Sequence, residues 1–305
     1  MRLVFAGTPP LAATVLERLL DSGSHDVVAV LTRPDAAKGR SSRLVPSPVA
    51  ELAAERGIEV LKPQRPSEPW LAQRLAELRV DCAPVVAYGG LIPGSLLGAF
   101  DKGWVNLHFS LLPRWRGAAP VQRAILAGDE RSGVTIFELV SELDAGAVLA
   151  TAGYRFGPDE TAGEALDALT ELGGGLLLET LDRLEAGVAV AVPQPAEGVT
   201  LAPKLSPAEA RLDWALPAVE LARVARANNP SPIAWTMLNG ERFRVLRARA
   251  IEGAGEPGAV DVGRNWVRVG TGDGLLELDQ VQPAGKRALP AADWARGLRH
   301  AVRFE

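Results

Sequence analysis

Asn106 and His108 are the residues of this chain best suited to chemistry. They stand two apart in Asn106-Leu107-His108-Phe109-Ser110-Leu111-Leu112-Pro113-Arg114-Trp115-Arg116-Gly117, between an apolar run and a turn rich in Pro, Arg and Gly. On a strand, that spacing turns both side chains to one face. The pair then offers an amide donor beside a titratable imidazole. Such a pair suits a reaction in which a carbonyl oxygen gains negative charge while a proton moves. Alone, an Asn-x-His also fits an ordinary hydrogen-bonded strand end.

The elements that must position this pair are legible in the first half. Leu3–Gly7, Val27–Leu31, Glu59–Leu61, Asp81–Ala87 and Trp104–His108 read as strands. Leu11–Leu20, Val49–Arg56 and Trp70–Leu78 read as the helices between them. Continuous apolar strands alternating with helices predict a mostly parallel sheet covered on both faces. Ligands of such sheets bind beyond the strand C-termini, where Asn106 and His108 fall. Next come a helix over Ala118–Ala127, strands over Val134–Leu139 and Ala147–Phe156, and a long helix over Thr161–Ala186. Residues 188–205 hold Pro193, Pro195 and Pro203 and read as a linker. Ser206–Asn228 suggests a helical segment. The close-set strands Ile233–Met237, Arg242–Ala250, Gly258–Val262, Trp266–Val269 and Leu275–Gln280 suggest a small barrel. The expected fold is α/β. A Rossmann-like, mostly parallel sheet domain over 1–187 precedes a small C-terminal β-barrel domain of OB-like kind over 206–305.

Composition narrows the function classes. A chain of 305 residues can hold two cores. The single Cys82 excludes an internal disulfide and a cysteine-cluster metal site, and it suits a reducing cytoplasm. No run of about 18 apolar residues appears, so no transmembrane helix is expected. The net charge of −4 does not advertise a nucleic-acid binder, yet residues 206–305 hold 14 basic against 12 acidic residues. Arg33, Lys38, Arg40 and Arg43 form one basic cluster and Arg242, Arg244, Arg247 and Arg249 another. Either cluster alone reads as solvated surface. Gly7-Thr8-Pro9 has one glycine where a dinucleotide fingerprint needs three, which disfavours a dehydrogenase.

The Asn-x-His, the following Ser110-Leu111-Leu112-Pro113 and the Arg-rich turn together resemble the signature of the folate-dependent formyltransferases. Phe109 departs from it, standing where the family usually has a small residue. Phe5-Ala6-Gly7-Thr8-Pro9 and the longer run from Ser110 to Gly128 are similar to the branch of that family that formylates tRNA. The likeness continues through Ala210-Arg211-Leu212-Asp213-Trp214 and Gln282-Pro283-Ala284-Gly285-Lys286-Arg287.

The resemblance implies a third catalytic residue. Asp144 precedes Ala145-Gly146 and by itself reads as a turn residue. The family's Leu-Asp-x-Gly motif after a Gly-Val-Thr strand falls on Asp144, after Gly133-Val134-Thr135. In the implied reaction the donor is 10-formyltetrahydrofolate and the acceptor is the α-amine of methionyl initiator tRNA. Asn106 and protonated His108 would hydrogen-bond the developing oxyanion, and Asp144 would orient and charge the imidazole. No metal is required. Folate contacts are implied at Gly89, Leu91 and Ile92 of the Ala87-Tyr88-Gly89 loop, at Ser110, Leu111, Leu112 and Pro113, and at Leu139 and Leu143. The loop holding Lys38, Arg40 and Arg43, with Lys204, is implied to meet tRNA. A cytoplasmic monomer is the matching expectation. Relatives that formylate a nucleotide sugar or glycinamide ribonucleotide share Asn106, His108 and Asp144. A non-catalytic tRNA-binding protein on the same scaffold is the other class, and the intact Asn–His–Asp set argues against it.

Overall fold

Leu3, Val4, Phe5 and Ala6 are fully buried along β1 (Arg2–Gly7), because helices cover both sides of the sheet it runs through. In the computed structural model, which describes residues 1–37 and 43–305, the chain divides into two compact units. The first comprises Met1–Gly117, Ser132–Tyr154 and Leu166–Leu201. The second comprises Ala118–Arg131, Arg155–Ala165 and Ala202–Glu305.

After β1 come α1 (Pro10–Ser22), β2 (Asp26–Leu31), the two-residue strands β3 (Ala36–Ala37) and β4 (Leu44–Val45), and α2 (Pro48–Glu55). Then follow β5 (Glu59–Leu61), α3 (Pro69–Glu77), β6 (Ala83–Val86), α4 (Gly94–Leu97) and β7 (Trp104–His108). The chain continues through α5 (Pro120–Ala127), β8 (Arg131–Glu138), β9 (Val148–Arg155) and α6 (Ala162–Glu185). The first sheet runs β5-β2-β1-β6-β7-β8-β9. Its five strands from β5 to β7 are parallel, and β8 joins β7 antiparallel. The chain builds outward from β1 in one direction, then returns to add β6 and β7 on the other side. The topological switch point therefore lies between β1 and β6.

Local signals set the helices. Ala12, Val15, Leu16 and Leu19 make the buried stripe of α1, and Gly23 ends it in the left-handed conformation. Ser47 caps α2, accepting from the Ala50 amide at 3.1 Å. Helix α6 lies close against β7 at Gly173, where a Cβ would sit 2.6 Å from the Leu107 side chain. That close approach fixes the strand that carries Asn106 and His108.

In the second unit, α7 (Ala218–Ala227) precedes β10 (Ala234–Leu238), β11 (Glu241–Ile251), β12 (Val260–Val262), β13 (Val267–Gly270), β14 (Leu275–Gln282), β15 (Leu289–Pro290) and α8 (Ala291–Ala295). The strands form an antiparallel sheet in the order β10-β11-β14-β13-β12, with β15 on β14. The chain end closes it. The Val260 amide donates to the Val302 carbonyl, the Phe304 amide to the Gly258 carbonyl, and the Glu305 amide to the Met237 carbonyl on β10. The two open edges are thereby tied into a small barrel around Trp214, Phe243, Trp294 and Phe304.

The helix expected over Ser206–Asn228 is confined to Ala218–Ala227. Residues 210–212 instead border β10: the Trp235 amide donates to the Ala210 carbonyl and the Leu212 amide to the Trp235 carbonyl. That long-range pairing outweighs the local helical pattern.

Candidate active site

Asn106 and His108 share a face of β7, at its C-terminal end, as their spacing requires. Asn106 lies between Val85 of β6 and Phe137 of β8, and His108 opposite Thr135. His108 is buried at 5 % exposure; Asn106 is half-buried. The Phe137 ring meets the imidazole edge-on at 6.3 Å.

The turn after β7 is held by two buried hydroxyls. Thr135 Oγ1 donates to the Ser110 carbonyl at 2.7 Å and accepts from the Leu112 amide at 3.2 Å. Ser110 Oγ donates to the Arg114 carbonyl at 2.6 Å. This turn delivers the Trp115 carbonyl to His108 Nε2 at 2.8 Å. A carbonyl can only accept, so the imidazole proton sits on Nε2. Nδ1 then faces the Asp144 carboxylate, 3.7 Å away.

Asp144 reaches His108 from the loop after β8. Its Oδ2 accepts from the Gly117 amide at 2.8 Å, which joins that loop to the signature turn. Trp115 and Asp144 both have positive φ, at 64° and 47°. Non-glycine residues in that region are costly and cluster at functional sites. Gly146 is required where it stands, since a Cβ there would lie 1.7 Å from the Glu138 carbonyl oxygen.

Burial holds the His108 pKa below the usual imidazole value, with Asp144 and the Trp115 carbonyl opposing that shift. The resting ring is therefore neutral at neutral pH. The neutral ring carries a free lone pair on Nδ1, and the protonated His108 that the resemblance implies at the oxyanion would be the form reached once that nitrogen takes up a proton. Removal of the imidazole from water favours the neutral form, and no local pattern encodes it.

Two important residues escape a sequence reading. Gln194 Nε2 donates to the carbonyls of Asp144 and Gly146 at 2.8 and 2.9 Å, while its Oε1 accepts from Arg116 at 2.6 and 3.1 Å. Thr200 Oγ1 accepts from the Trp115 amide at 2.8 Å, and its carbonyl accepts from the Arg116 amide. Residues 192–201, whose prolines suggest a linker, thus strap the signature turn to the Asp144 loop. The one available signal was Gln194 lying between Pro193 and Pro195, which stiffen the backbone on both sides.

The implied folate residues fall into distinct settings. Leu91 and Leu143 are strongly exposed apolar side chains, and Leu111 is partly so. Gly89 has a positive φ and open space around it. Ile92 belongs to the core cluster of Val85, Tyr88 and Trp104, against which Leu139 also packs. Leu112 is buried, Pro113 is half-buried, and Ser110 is fully buried with its hydroxyl engaged in the turn. Lys38 and Arg40 lie outside the described residues. Arg43 is exposed, and so is Lys204, whose carbonyl accepts from Arg123. Among the described residues, the one grouping of metal-ligating side chains is His25, Asp182 and Glu185, where the Met1 ammonium already donates to Glu185. No described helix is long and apolar enough to cross a membrane.

Residues 1–181 match the formyl transferase family, and residues 204–299 match the formyl transferase C-terminal domain family. A methionyl-tRNA formyltransferase of Streptomyces coelicolor is 52 % identical over 301 residues, covering 98 % of this chain and 97 % of that protein. The chain belongs to the methionyl-tRNA formyltransferase family. This formyltransferase is also 52 % identical to a methionyl-tRNA formyltransferase of Mycolicibacterium gilvum, with the same shares covered. It is a formyl-transferring enzyme. Its fold resembles that of an N-formyltransferase from Helicobacter canadensis solved with folinic acid and dTDP-3-aminofucose: TM-score 0.69, 17 % identity, 92 % of this chain and 98 % of that one. It also resembles HypX from Aquifex aeolicus, solved with tetrahydrofolic acid: TM-score 0.65, 22 % identity and 97 % of this chain. The formyltransferase spans about half of HypX, covering 47 % of that chain.

Proposed function

We propose that this enzyme transfers the formyl group of 10-formyltetrahydrofolate to the α-amine of methionyl initiator tRNA, supporting translation initiation. The observation that carries this reading is 52 % identity, over nearly the whole of both chains, to a methionyl-tRNA formyltransferase.

Asn106 donates its amide to the formyl oxygen, and more strongly as negative charge develops there. His108 Nδ1 takes the proton that the attacking amine releases on forming its bond to the formyl carbon. Asp144 stabilises the imidazolium across the short gap to Nδ1. His108 then returns the proton to N10 of the folate as the carbon–N10 bond breaks, which regenerates the neutral ring. Tetrahydrofolate and formylmethionyl-tRNA leave. Leu91, Leu111 and Leu143 offer apolar cover for a planar ring, with Ile92 and Leu139 over the core below. The backbone at Gly89 is open to close approach. Ser110, Leu112 and Pro113 shape the wall of that site.

Residues 1–187 act as the catalytic domain, 188–205 as the linker and 206–305 as the tRNA-binding domain. Lys38, Arg40, Arg43 and Lys204 contact the tRNA. The enzyme works as a cytoplasmic monomer. The test is incubation with charged methionyl initiator tRNA and 10-formyltetrahydrofolate. Blocking of the methionyl amine supports the reading, and a persistently free amine under saturating donor overturns it.

A further inference from the structure

His25 is a second buried imidazole, and formyl transfer makes no use of it. It stands in the turn between α1 and β2, with its side chain only 1 % exposed. The Asp26 amide donates to the Met1 carbonyl at 2.9 Å, which sets His25 beside the start of β1. The Met1 ammonium lies 3.3 Å from Nδ1 and can only donate, so Nδ1 carries the lone pair and Nε2 the proton. Nε2 is buried and makes no hydrogen bond. Two carboxylates flank the ring: Asp182 Oδ1 lies 3.2 Å from Nε2, and Glu185 Oε2 lies 3.5 Å from Nδ1. Asp182 and Glu185 are three apart at the end of α6, so they share one helix face. Met1, His25, Asp182 and Glu185 all belong to the first unit.

A buried ring nitrogen without a partner costs stability and calls for an explanation. Burial and the Met1 ammonium hold the His25 pKa below the usual imidazole value, so the neutral ring, the form that ligates metals, prevails at neutral pH. One donor atom from each of His25, Asp182 and Glu185 lies within 4.8 Å of the other two. A tetrahedral zinc site has bonds of about 2.0–2.1 Å and so donor–donor edges of about 3.4 Å. The 3.2 and 3.5 Å spacings between ring and carboxylates already match such edges. About half of each carboxylate side chain is exposed, which leaves both free to turn inward. Asp81 adds a further negative charge that acts on Glu185. One imidazole with two carboxylates suits a late first-row divalent ion better than calcium or magnesium, which take oxygen donors. We propose that His25, Asp182 and Glu185 bind one divalent ion of the zinc type, which ties the end of α6 to the turn before β2. The ion displaces the Met1 ammonium from Glu185. Helix α6 lies against β7 at Gly173 and Leu107, so the clamp stiffens the support of the strand bearing Asn106 and His108 without entering its chemistry.

The experiment uses the full chain, stripped with a chelator, and zinc chloride as the probe. Calorimetric titration at neutral pH shows one saturable site per chain, and the melting temperature rises with zinc concentration because the ion binds the folded chain. Magnesium and calcium at the same concentrations give no such rise. The NMR signals of the His25 ring shift with zinc, while those of His108 hold. Asp182→Asn and Glu185→Gln each weaken zinc binding at least about 10-fold, the smaller end of the cost of losing even a supporting residue, and remove the rise in melting temperature. Both positions are exposed, so these variants keep the test open if the buried His25→Gln fails to fold. Their kcat without zinc matches the wild type. Absence of a saturable site overturns the proposal, and so does zinc binding that persists undiminished in Asp182→Asn and Glu185→Gln. Zinc that is lost in His108→Ala but retained in Glu185→Gln belongs to the other imidazole and overturns it equally.

Discussion

His108 Nε2 donates to the carbonyl oxygen of Trp115 at 2.8 Å, and this one bond decides which ring nitrogen is left to face Asp144. With the Nε2 proton engaged, only Nδ1 is free to exchange a proton, and Nδ1 is the atom facing Asp144. The ring thus has a fixed tautomer before any substrate arrives.

Asn106→Ala and His108→Ala each lower kcat by at least about 10²-fold, the scale of losing one oxyanion donor or a general base. Folate and tRNA affinities change far less. Steady-state kinetics with equilibrium binding of both substrates separate the two effects. Near-native turnover in either variant removes that residue from the mechanism.

Burial lowers the His108 pKa, so the acid limb of kcat/KM falls below the ordinary imidazole value of about 6.5. Asp144→Asn removes the charge that favours the imidazolium, so the ring titrates lower still while turnover drops. The sign for stability follows. The unfolded chain binds the His108 proton more readily than the folded one. Stability from this site is therefore complete above about 6.5 and is lost as pH falls toward the lower folded value. NMR titration of the His108 ring, with denaturation midpoints between pH 5 and pH 8, checks both. A ring that titrates above the ordinary value contradicts the assignment.

Gln194 holds the Asp144 loop through two carbonyls and the signature turn through Arg116. Gln194→Ala frees Asp144 to move from His108, so kcat falls and the His108 ring titrates lower, as in Asp144→Asn. Gln194→Glu keeps the Arg116 interaction but removes both donors, and it gives the same shift. A purely structural Gln194 would lower the melting temperature and leave the His108 titration where it was.

Thr135→Val preserves shape and removes the hydroxyl that serves Ser110 and Leu112. The buried Leu112 amide is left without its acceptor, at a cost of about 1–3 kcal/mol. Thermal melting reads the loss, and kcat falls with it because the turn carrying the Trp115 carbonyl loosens. A stable variant with normal kcat would show that the turn holds itself.

Neutralising Lys38, Arg40 and Arg43 together weakens use of methionyl-tRNA and flattens its salt dependence, while folate binding is unaffected. If affinity and salt slope both hold, the loop is solvated surface and its tRNA role is withdrawn.

Periodicity made the strand carrying Asn106 and His108 legible. Asn106 and His108 are near neighbours, so β7's alternation alone puts them on one face, and the apolar strand–helix alternation places that strand in a parallel sheet. Asp144 was legible only through resemblance, since nothing local links it to a residue 36 positions away in the sequence. Tertiary structure decided the rest. The tautomer of His108 depends on a carbonyl delivered by a turn, and its neutrality depends on burial by the whole first unit. Gln194 has no local pattern because its partners lie some 50 and 78 positions away. The four arginines of β11 look equivalent in the sequence, yet register shifts at Val245/Arg247 and Arg247/Ala248 re-phase the strand. Arg247 and Arg249 thereby meet carboxylates while Arg242 and Arg244 stay with Trp235 and Gln282. Side-chain spacing along one element is written in the chain itself, but the partner each charge meets is set by the register between strands distant in sequence.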